Sequence, residues 1–167
     1  MYRAIPYALG VTLAVQLTAL STAAGQGARP NACALIDAAE VTRLTGTKDV
    51  SEKPESVDAD FKYPKNKSVC MYADLIFELT TDATPESFAR TPRATDSRFK
   101  MQPISGLGDE AYYLWDATPN AGVRSVLIVF RSGSKRVAIE RLTTSDSIDV
   151  VKKMLLPVAR TTVSRAK

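Results

Sequence analysis

The side chains that could carry chemistry in this 167-residue sequence are two cysteines and scattered carboxylates, and histidine is absent. Without histidine, the Ser-His-Asp and Cys-His nucleophiles and the histidine zinc sites are excluded. Cys33 and Cys70 are too far apart to form a C-x-x-C redox pair. If the chain is exported, as its first residues indicate, two such cysteines are typical of a structural disulfide. Closing a loop of this length stabilises a fold by about 4 kcal/mol, so we predict a Cys33–Cys70 bridge.

Asp109 and Glu110 form the best local pair of carboxylates. A glycoside hydrolase needs two carboxyl groups roughly 5 to 10 Å apart across a cleft. Neighbouring residues on a strand point to opposite faces, so this pair is poorly arranged for that reaction. A carboxylate-dependent hydrolase is therefore kept only as an alternative function.

The tripeptide Gly106-Leu107-Gly108 has the composition of a phosphate-binding loop. Such a loop follows a strand, precedes a helix and contains a lysine. Here a strand follows, and the lysine is missing. We predict a tight turn that leads into the next strand.

Aromatic side chains on one predicted strand, 111–115, are candidates for binding. Alternation along the strand places Tyr113 and Trp115 on one face, opposite Tyr112 and Leu114. Aromatic residues beside basic strands also stack on single-stranded nucleic acid. Export argues against a nucleic acid partner, and packing within the protein is the more common use of such rings.

Charge is distributed unevenly along the chain, whose formal net charge is +4. Residues 25–90 carry 8 basic and 11 acidic side chains, whereas residues 91–167 carry 13 basic and 7 acidic ones. A basic half favours an acidic partner or an anionic envelope surface, and a solvated surface of mixed charge is the alternative. The basic candidates are Arg131, Lys135, Arg136, Lys152 and Lys153.

The first residues have the pattern of a cleavable signal peptide. Arg3 precedes an apolar run at 4–20, and small residues follow it. The run is shorter than a membrane-spanning helix and is interrupted by proline, glycine and glutamine. We place cleavage after Ala24, which gives a signal peptide at 1–24, a flexible leader at 25–32 and one domain at 33–167. No transmembrane segment is expected after cleavage, and no cysteine stands at the cut for lipid attachment.

A short first helix has strong local signals. Asp37 can cap its start, and Glu40 stands three residues on, as in a capping box. Ile36 and Val41 have the spacing of a hydrophobic staple. Gly46 can adopt the left-handed conformation that ends the helix.

The remaining elements follow from alternation and turn residues. Strand patterns occupy 69–72, 75–80, 111–115, 123–131 and 135–143. The run 126–130 is apolar on both faces, so this strand should be central, with a layer on each side. The segment 47–67 is predicted to be a long loop, or a loop with one weak strand at 57–63, and it is a candidate contact surface. The segment 91–108 is predicted to be irregular.

Two further helices are expected. Thr84 and Pro85 signal the start of a brief one. The last helix begins near Ser147, with Ser145 or Asp146 as its cap, and Pro157 should kink or end it. Together the elements predict an α+β fold, a twisted antiparallel sheet with packed helices and one disulfide.

Four short motifs together resemble those of a family of small exported bacterial domains of unknown function, many of them actinobacterial lipoproteins. They are CALIDAAEV at 33–41, LTG at 44–46, CMY at 70–72 and GLGDEA at 106–111. The pattern is a cysteine, a capped helix ending in glycine, a second cysteine followed by an aromatic, and a Gly-x-Gly-Asp-x-Ala turn. The resemblance implies an antiparallel sheet with packed helices and a disulfide, and it implies no activity and no catalytic residues.

The sequence therefore favours a non-catalytic binding or interaction domain, periplasmic or extracellular, without a cofactor or metal. Its partner is expected to be a protein or another envelope component. The candidate binding residues are Tyr113, Trp115, Arg131, Lys135 and Arg136. The alternatives are an electrostatic binder of anionic envelope polymers or lipids and a carboxylate-dependent hydrolase.

Overall fold

The computed structural model describes residues 30–48, 55–56, 63–90, 97–118 and 122–166. The predicted signal peptide lies outside the described residues, as do 49–54 and 57–62 of the predicted loop. The elements in chain order are a 3-10 turn at Ala32–Ala34, α1 (Ala38–Thr45), β1 (Glu55–Ser56), β2 (Lys67–Tyr72), β3 (Leu75–Thr80), α2 (Pro85–Ala89), β4 (Phe99–Pro103), β5 (Glu110–Asp116), β6 (Arg124–Ser132), β7 (Lys135–Thr143) and α3 (Ile148–Arg165).

Within the described residues, the strands form one antiparallel sheet in the order β1-β2-β3-β7-β6-β5-β4. The predicted combination of an antiparallel sheet, helices and a disulfide is confirmed. β6 lies inside the sheet between β5 and β7, and its residues 126–130 are all buried. The expectation that this strand lies inside the sheet, buried on both faces, is therefore confirmed.

We call the face that carries Val126, Ile128 and Phe130 the first face, and the face that carries Leu127 and Val129 the second face. α3 packs on the first face through residues at helical spacing, which are Val151, Leu155, Val158, Ala159 and Thr162. These side chains are fully buried, so α3 covers the part of the first face on which it packs.

α3 begins near Ser147, as predicted, but its cap and its last residue differ from the prediction. Ser147 caps its start by accepting a hydrogen bond from the Val150 N–H. Asp146 instead forms an ion pair with Arg141, 3.2 Å away. The helix passes through Pro157 and continues to Arg165, so it does not end at the proline. Buried packing on either side of Pro157 offsets the backbone hydrogen bond that proline cannot donate.

α1 begins and ends where the sequence predicts. Asp37 accepts a hydrogen bond from the Glu40 N–H, and Gly46 has a φ of 73°. The Glu40 carboxylate forms an ion pair with Arg165, 2.7 Å away, and so connects α1 to the end of α3. Arg165 also donates to the carbonyl oxygen of Leu35.

The predicted disulfide joins Cys33 to Cys70, with 5.2 Å between their Cα atoms. Next to it, the Ser68 hydroxyl accepts a hydrogen bond from the Ala32 N–H at 3.0 Å. The buried Tyr72 hydroxyl donates to the carbonyl oxygens of Cys33 and Ile36. Burial, with a smaller effect of the Asp37 charge, raises the pKa of Tyr72 to about 12. This junction attaches the chain before α1 to the first face of the sheet.

The prediction of irregular structure throughout 91–108 is wrong, because β4 forms at Phe99–Pro103 and pairs with β5. β4 is an edge strand whose side chains are mostly exposed, so its sequence lacks the alternation that identifies half-buried strands. Pro103 is compatible with an edge strand, because an edge leaves some N–H groups unpaired.

In the turn before β5, the backbone at Gly108 lies very close to the backbone of β6 at Arg131. Gly108 has a φ of 63°, and a Cβ there would collide with the Arg131 carbonyl oxygen. Gly106 has a φ of 73°, but a Cβ there would meet open space. We expect Gly106→Ala to lower the free energy of unfolding by about 1 kcal/mol, from the left-handed backbone alone. Gly108→Ala should lower it by about 3 kcal/mol, because strain and overpacking add.

Urea denaturation of the two variants measures this difference. Equal destabilisation by Gly106→Ala and Gly108→Ala would contradict a close approach between the turn and β6.

Candidate functional site

A cavity of about 510 Å³ opens on the second face of the sheet. Its floor is apolar and is formed by side chains from four adjacent strands. They are Ile76, Leu114, Leu127, Val129 and Ala138. Ligand cavities generally combine such an apolar surface with a few polar groups.

The wall of the cavity is built by α2 and the turn before it. Thr84 and Ser87 form a capping box that fixes the start of this five-residue helix. The Ala83 N–H donates to the Ser134 carbonyl oxygen, which attaches this segment to the β6–β7 turn. Phe88 packs against Tyr112 with 5.1 Å between ring centroids. α2 therefore covers the β5 side of the second face and lies at the boundary of the cavity.

A carboxylate with two cationic partners lies at the upper end of the cavity, which we define as the end at Arg136. Glu78 on β3 lies 2.7 Å from the Lys67 ammonium and 2.8 Å from the Arg136 guanidinium. Burial alone would raise the pKa of Glu78, but its hydrogen bonds and the charges of Lys67 and Arg136 outweigh burial, and the pKa is lowered. Glu78 is therefore an anion at neutral pH, and the three groups together carry one net positive charge.

A second carboxylate lines the opposite, lower end of the cavity. Glu140 lies on β7 four residues after Arg136, and both line the cavity together with Ala138. The Ser125 hydroxyl donates a hydrogen bond to the Glu140 carboxylate. The alternation of β7 thus places a cation at one end of the cavity and an anion at the other.

Of the predicted binding residues, Arg136 lines the cavity, whereas Tyr113 and Trp115 lie on the first face, beside α3. The predicted separation of these rings from Tyr112 and Leu114 is confirmed. The Lys152 ammonium lies 3.5 Å from the Trp115 ring centroid and 2.9 Å from the Gln102 side-chain oxygen.

Contacts between β5 and α3 bury both Tyr113 and Lys152 in part, and they shift the pKa values of both side chains. The Tyr113 hydroxyl donates to the Lys152 carbonyl oxygen, and burial raises the pKa of Tyr113. Burial also lowers the pKa of Lys152, against a smaller opposite effect of Asp149. Tyr113 and Trp115 therefore support the attachment of α3, and they do not join Arg136 in one site.

Arg131 lies between the two carboxylates of the predicted acid pair. Its guanidinium is 3.0 Å from Asp109 and 3.2 Å from Glu110, and Asp109 also accepts from the Gly133 N–H. These contacts connect the turn before β5 to the β6–β7 turn. The pair is therefore engaged in holding two turns together. Lys135 begins β7 at the same end of the sheet.

Sequence reasoning did not single out Glu78 and Lys67. The usable signal was the alternation of β3, which puts Glu78 between Ile76 and Thr80 on one face. A charged residue at such a position needs a partner, and the pairing of β3 with both β2 and β7 supplies it. The pairing of β3 with β7 joins strands that are distant in sequence, so it is not readable from the local sequence.

No group of three or more His, Cys, Asp or Glu side chains is placed to hold a metal ion in the described ranges. Among the helices that the structure describes, none combines the length and apolar character needed to cross a bilayer. Comparison with known proteins gives no match, whether with family models, curated proteins or solved structures.

The ion pairs of Glu78 predict a dependence of stability on pH. A carboxyl group whose pKa is lowered on folding stabilises the fold above its ordinary pKa of 4.5 and loses that contribution as the pH falls through its folded pKa. We expect Glu78→Gln to cost about 1 kcal/mol at pH 7, because the pairs are partly solvated. The cost should shrink as the pH falls below 4.5, where Glu78 of the unfolded chain takes up a proton, and vanish once the pH is below the lowered pKa of folded Glu78.

Urea denaturation at several pH values measures this effect, with Glu110→Gln as the control at a more exposed ion pair. A cost of Glu78→Gln that is constant between pH 7 and pH 3 would contradict an ionised Glu78.

Proposed function

We propose that this protein is an exported, non-catalytic domain that binds a ligand in the cavity on the second face of its sheet. One observation carries the proposal, namely that the cavity joins an apolar floor to the charged side chains Glu78, Arg136 and Glu140. The apolar run before Ala24 supports export, and the Cys33–Cys70 disulfide is typical of an oxidising compartment. The motif resemblance to small exported bacterial domains agrees with this proposal.

Electrostatic binding of anionic polymers is less favoured by the contacts of the basic residues. Arg131 and Arg136 are each paired with carboxylates, and Lys152 lies over the Trp115 ring. A cation that is already paired contributes less to attracting an anionic surface. Binding in the cavity should therefore persist at high salt, whereas purely electrostatic binding should weaken steeply.

Hydrolysis by paired carboxylates is disfavoured by the direction of the Glu78 pKa. A general acid at neutral pH requires a carboxyl group whose pKa is raised. Lys67 and Arg136 have the opposite effect on Glu78 and keep it anionic. Asp109 and Glu110 are both engaged with Arg131.

Filling the cavity tests the proposal. Ala138→Phe would place a ring over the cavity floor, whereas Val123→Phe adds the same ring at an exposed site outside it. Each purified variant is incubated with small molecules and peptides extracted from cell envelopes, and retained compounds are identified by mass spectrometry. We expect wild type and Val123→Phe to retain the same compound at high salt, and Ala138→Phe to lose at least nine-tenths of it.

Circular dichroism and thermal denaturation establish that both phenylalanine variants are folded. Equal retention by Ala138→Phe and wild type would contradict the cavity as the binding site. Retention that disappears at high salt would favour the electrostatic alternative.

A further inference from the structure

One carboxylate of the cavity lining differs from the others in its surroundings. Asp82 lines the cavity and is exposed to solvent, and within the residues that the structure describes no hydrogen bond or ion pair involves its side chain. Glu78 is paired with two cations, whereas Glu140 accepts the Ser125 hydroxyl and takes part in a further interaction. Asp82 is therefore the lining carboxylate whose charge is available to a ligand.

The backbone around Asp82 fixes the position of this carboxylate. Asp82 has a φ of 64°, a left-handed conformation that aspartate and asparagine adopt more readily than most residues. On one side, the Thr81 N–H donates to the Asn66 carbonyl oxygen at 2.8 Å. On the other side, the Ala83 N–H donates to the Ser134 carbonyl oxygen at 2.7 Å. The segment is thus attached to the turn before β2 and to the β6–β7 turn, which holds its charge at the cavity before a ligand binds.

The cationic side chain of the lining is not available in the same way. Among the described lining residues the cation is Arg136, and its guanidinium lies 2.8 Å from the Glu78 carboxylate. An anionic ligand at Arg136 would compete with that carboxylate and would be repelled by it. The charges of the lining therefore favour a cationic ligand over an anionic one.

The floor of the cavity determines the uncharged part of such a ligand. It is lined by aliphatic side chains, and the cavity volume of about 510 Å³ lies in the range of cavities that hold small molecules. Burial of apolar area supplies most of the affinity in a cavity of this kind. An ion pair with an exposed carboxylate adds a smaller amount, so Asp82 contributes selectivity more than affinity.

We propose that the cavity binds a small apolar molecule that carries one cationic amine. The hydrocarbon part of the ligand rests on the floor, and its ammonium group contacts the Asp82 carboxylate through charge-assisted hydrogen bonds. Charge complementarity carries this assignment, because the Asp82 carboxylate is unpaired and the Arg136 guanidinium is paired. The inference rests on the proposed function and specifies the chemical class of its ligand.

Octylamine, octan-1-ol and octanoate test the ligand class, because they share one hydrocarbon chain and differ in charge at neutral pH. Each is titrated into the purified protein, and binding is followed by the NMR shifts of the Val129 and Ala138 amides. We expect octylamine to bind about fivefold more tightly than octan-1-ol, the upper range for a solvated ion pair. Octanoate should bind more weakly than octan-1-ol. High salt should reduce the preference for the amine and leave the affinity for the alcohol unchanged.

Variants assign the preference for the amine to one side chain. Asp82→Asn removes the charge and keeps a residue that tolerates the left-handed backbone, so it should abolish the preference and keep the affinity for octan-1-ol. Glu86→Gln is the matched control, because Glu86 is an exposed carboxylate on the nearby α2 but lies outside the lining. It should keep the preference. Ala138→Phe, which covers the floor, should weaken binding of all three compounds.

Equal affinity of the wild type for octylamine and octan-1-ol would overturn the inference. So would a preference for the amine that persists in Asp82→Asn, shown by circular dichroism to be folded. If Ala138→Phe abolishes binding in either case, the proposed function stands.

The retained envelope compound decides the case in which the wild type binds none of the three probes. A compound that carries one cationic amine and is lost in both Ala138→Phe and Asp82→Asn would support the inference. A compound without a cationic amine that is lost in Ala138→Phe would overturn the inference and leave the proposed function standing. The absence of both probe binding and retention would overturn the two together.

Discussion

The constraint on which this structure depends is that β6 is apolar on both faces. A strand of this kind is stable only when each face of the sheet is covered, because both sets of side chains must leave water. On the first face, α3 and α1 provide a broad cover, which the Cys33–Cys70 disulfide and the Arg165 contacts hold in position. On the second face, the described cover is the five-residue α2 with Phe88. The described elements cover less of the second face than of the first, and the cavity lies on the less covered face.

Placing a charged side chain on the second face costs desolvation free energy, which the ion-pair partners of that side chain offset. A carboxylate on a half-buried sheet face is stable only when it is paired and hydrogen-bonded. Glu78 meets this condition through one cation from β2 and one from β7, which are Lys67 and Arg136. The same contacts that make Glu78 tolerable also fix Arg136 at the cavity. Stability and the proposed binding therefore share these side chains.

Local signals in the sequence were sufficient for much of the fold. The cap at Asp37 and the glycine at Gly46 depend on neighbouring residues alone, so the bounds of α1 were predictable. β4 was missed, because an exposed edge strand has no alternation to detect, and the passage of α3 through Pro157 depends on tertiary packing. The cavity depends on the pairing of β3 with β7, which are distant in sequence. Arg136 was therefore found by its charge, but its partner Glu78 was not.

The order of the strands also determines how the molecule assembles. The β2–β3 hairpin and the β5–β6–β7 meander are each connected locally, but the pairing of β3 with β7 must first close a loop of residues 81–134. Closing a long loop costs entropy before any contact is gained, so such a pairing is expected to form late. The cavity lies across this seam, with Glu78 on one side and Arg136 on the other. A molecule bound there contacts both halves of the sheet, so occupancy opposes the separation of those halves.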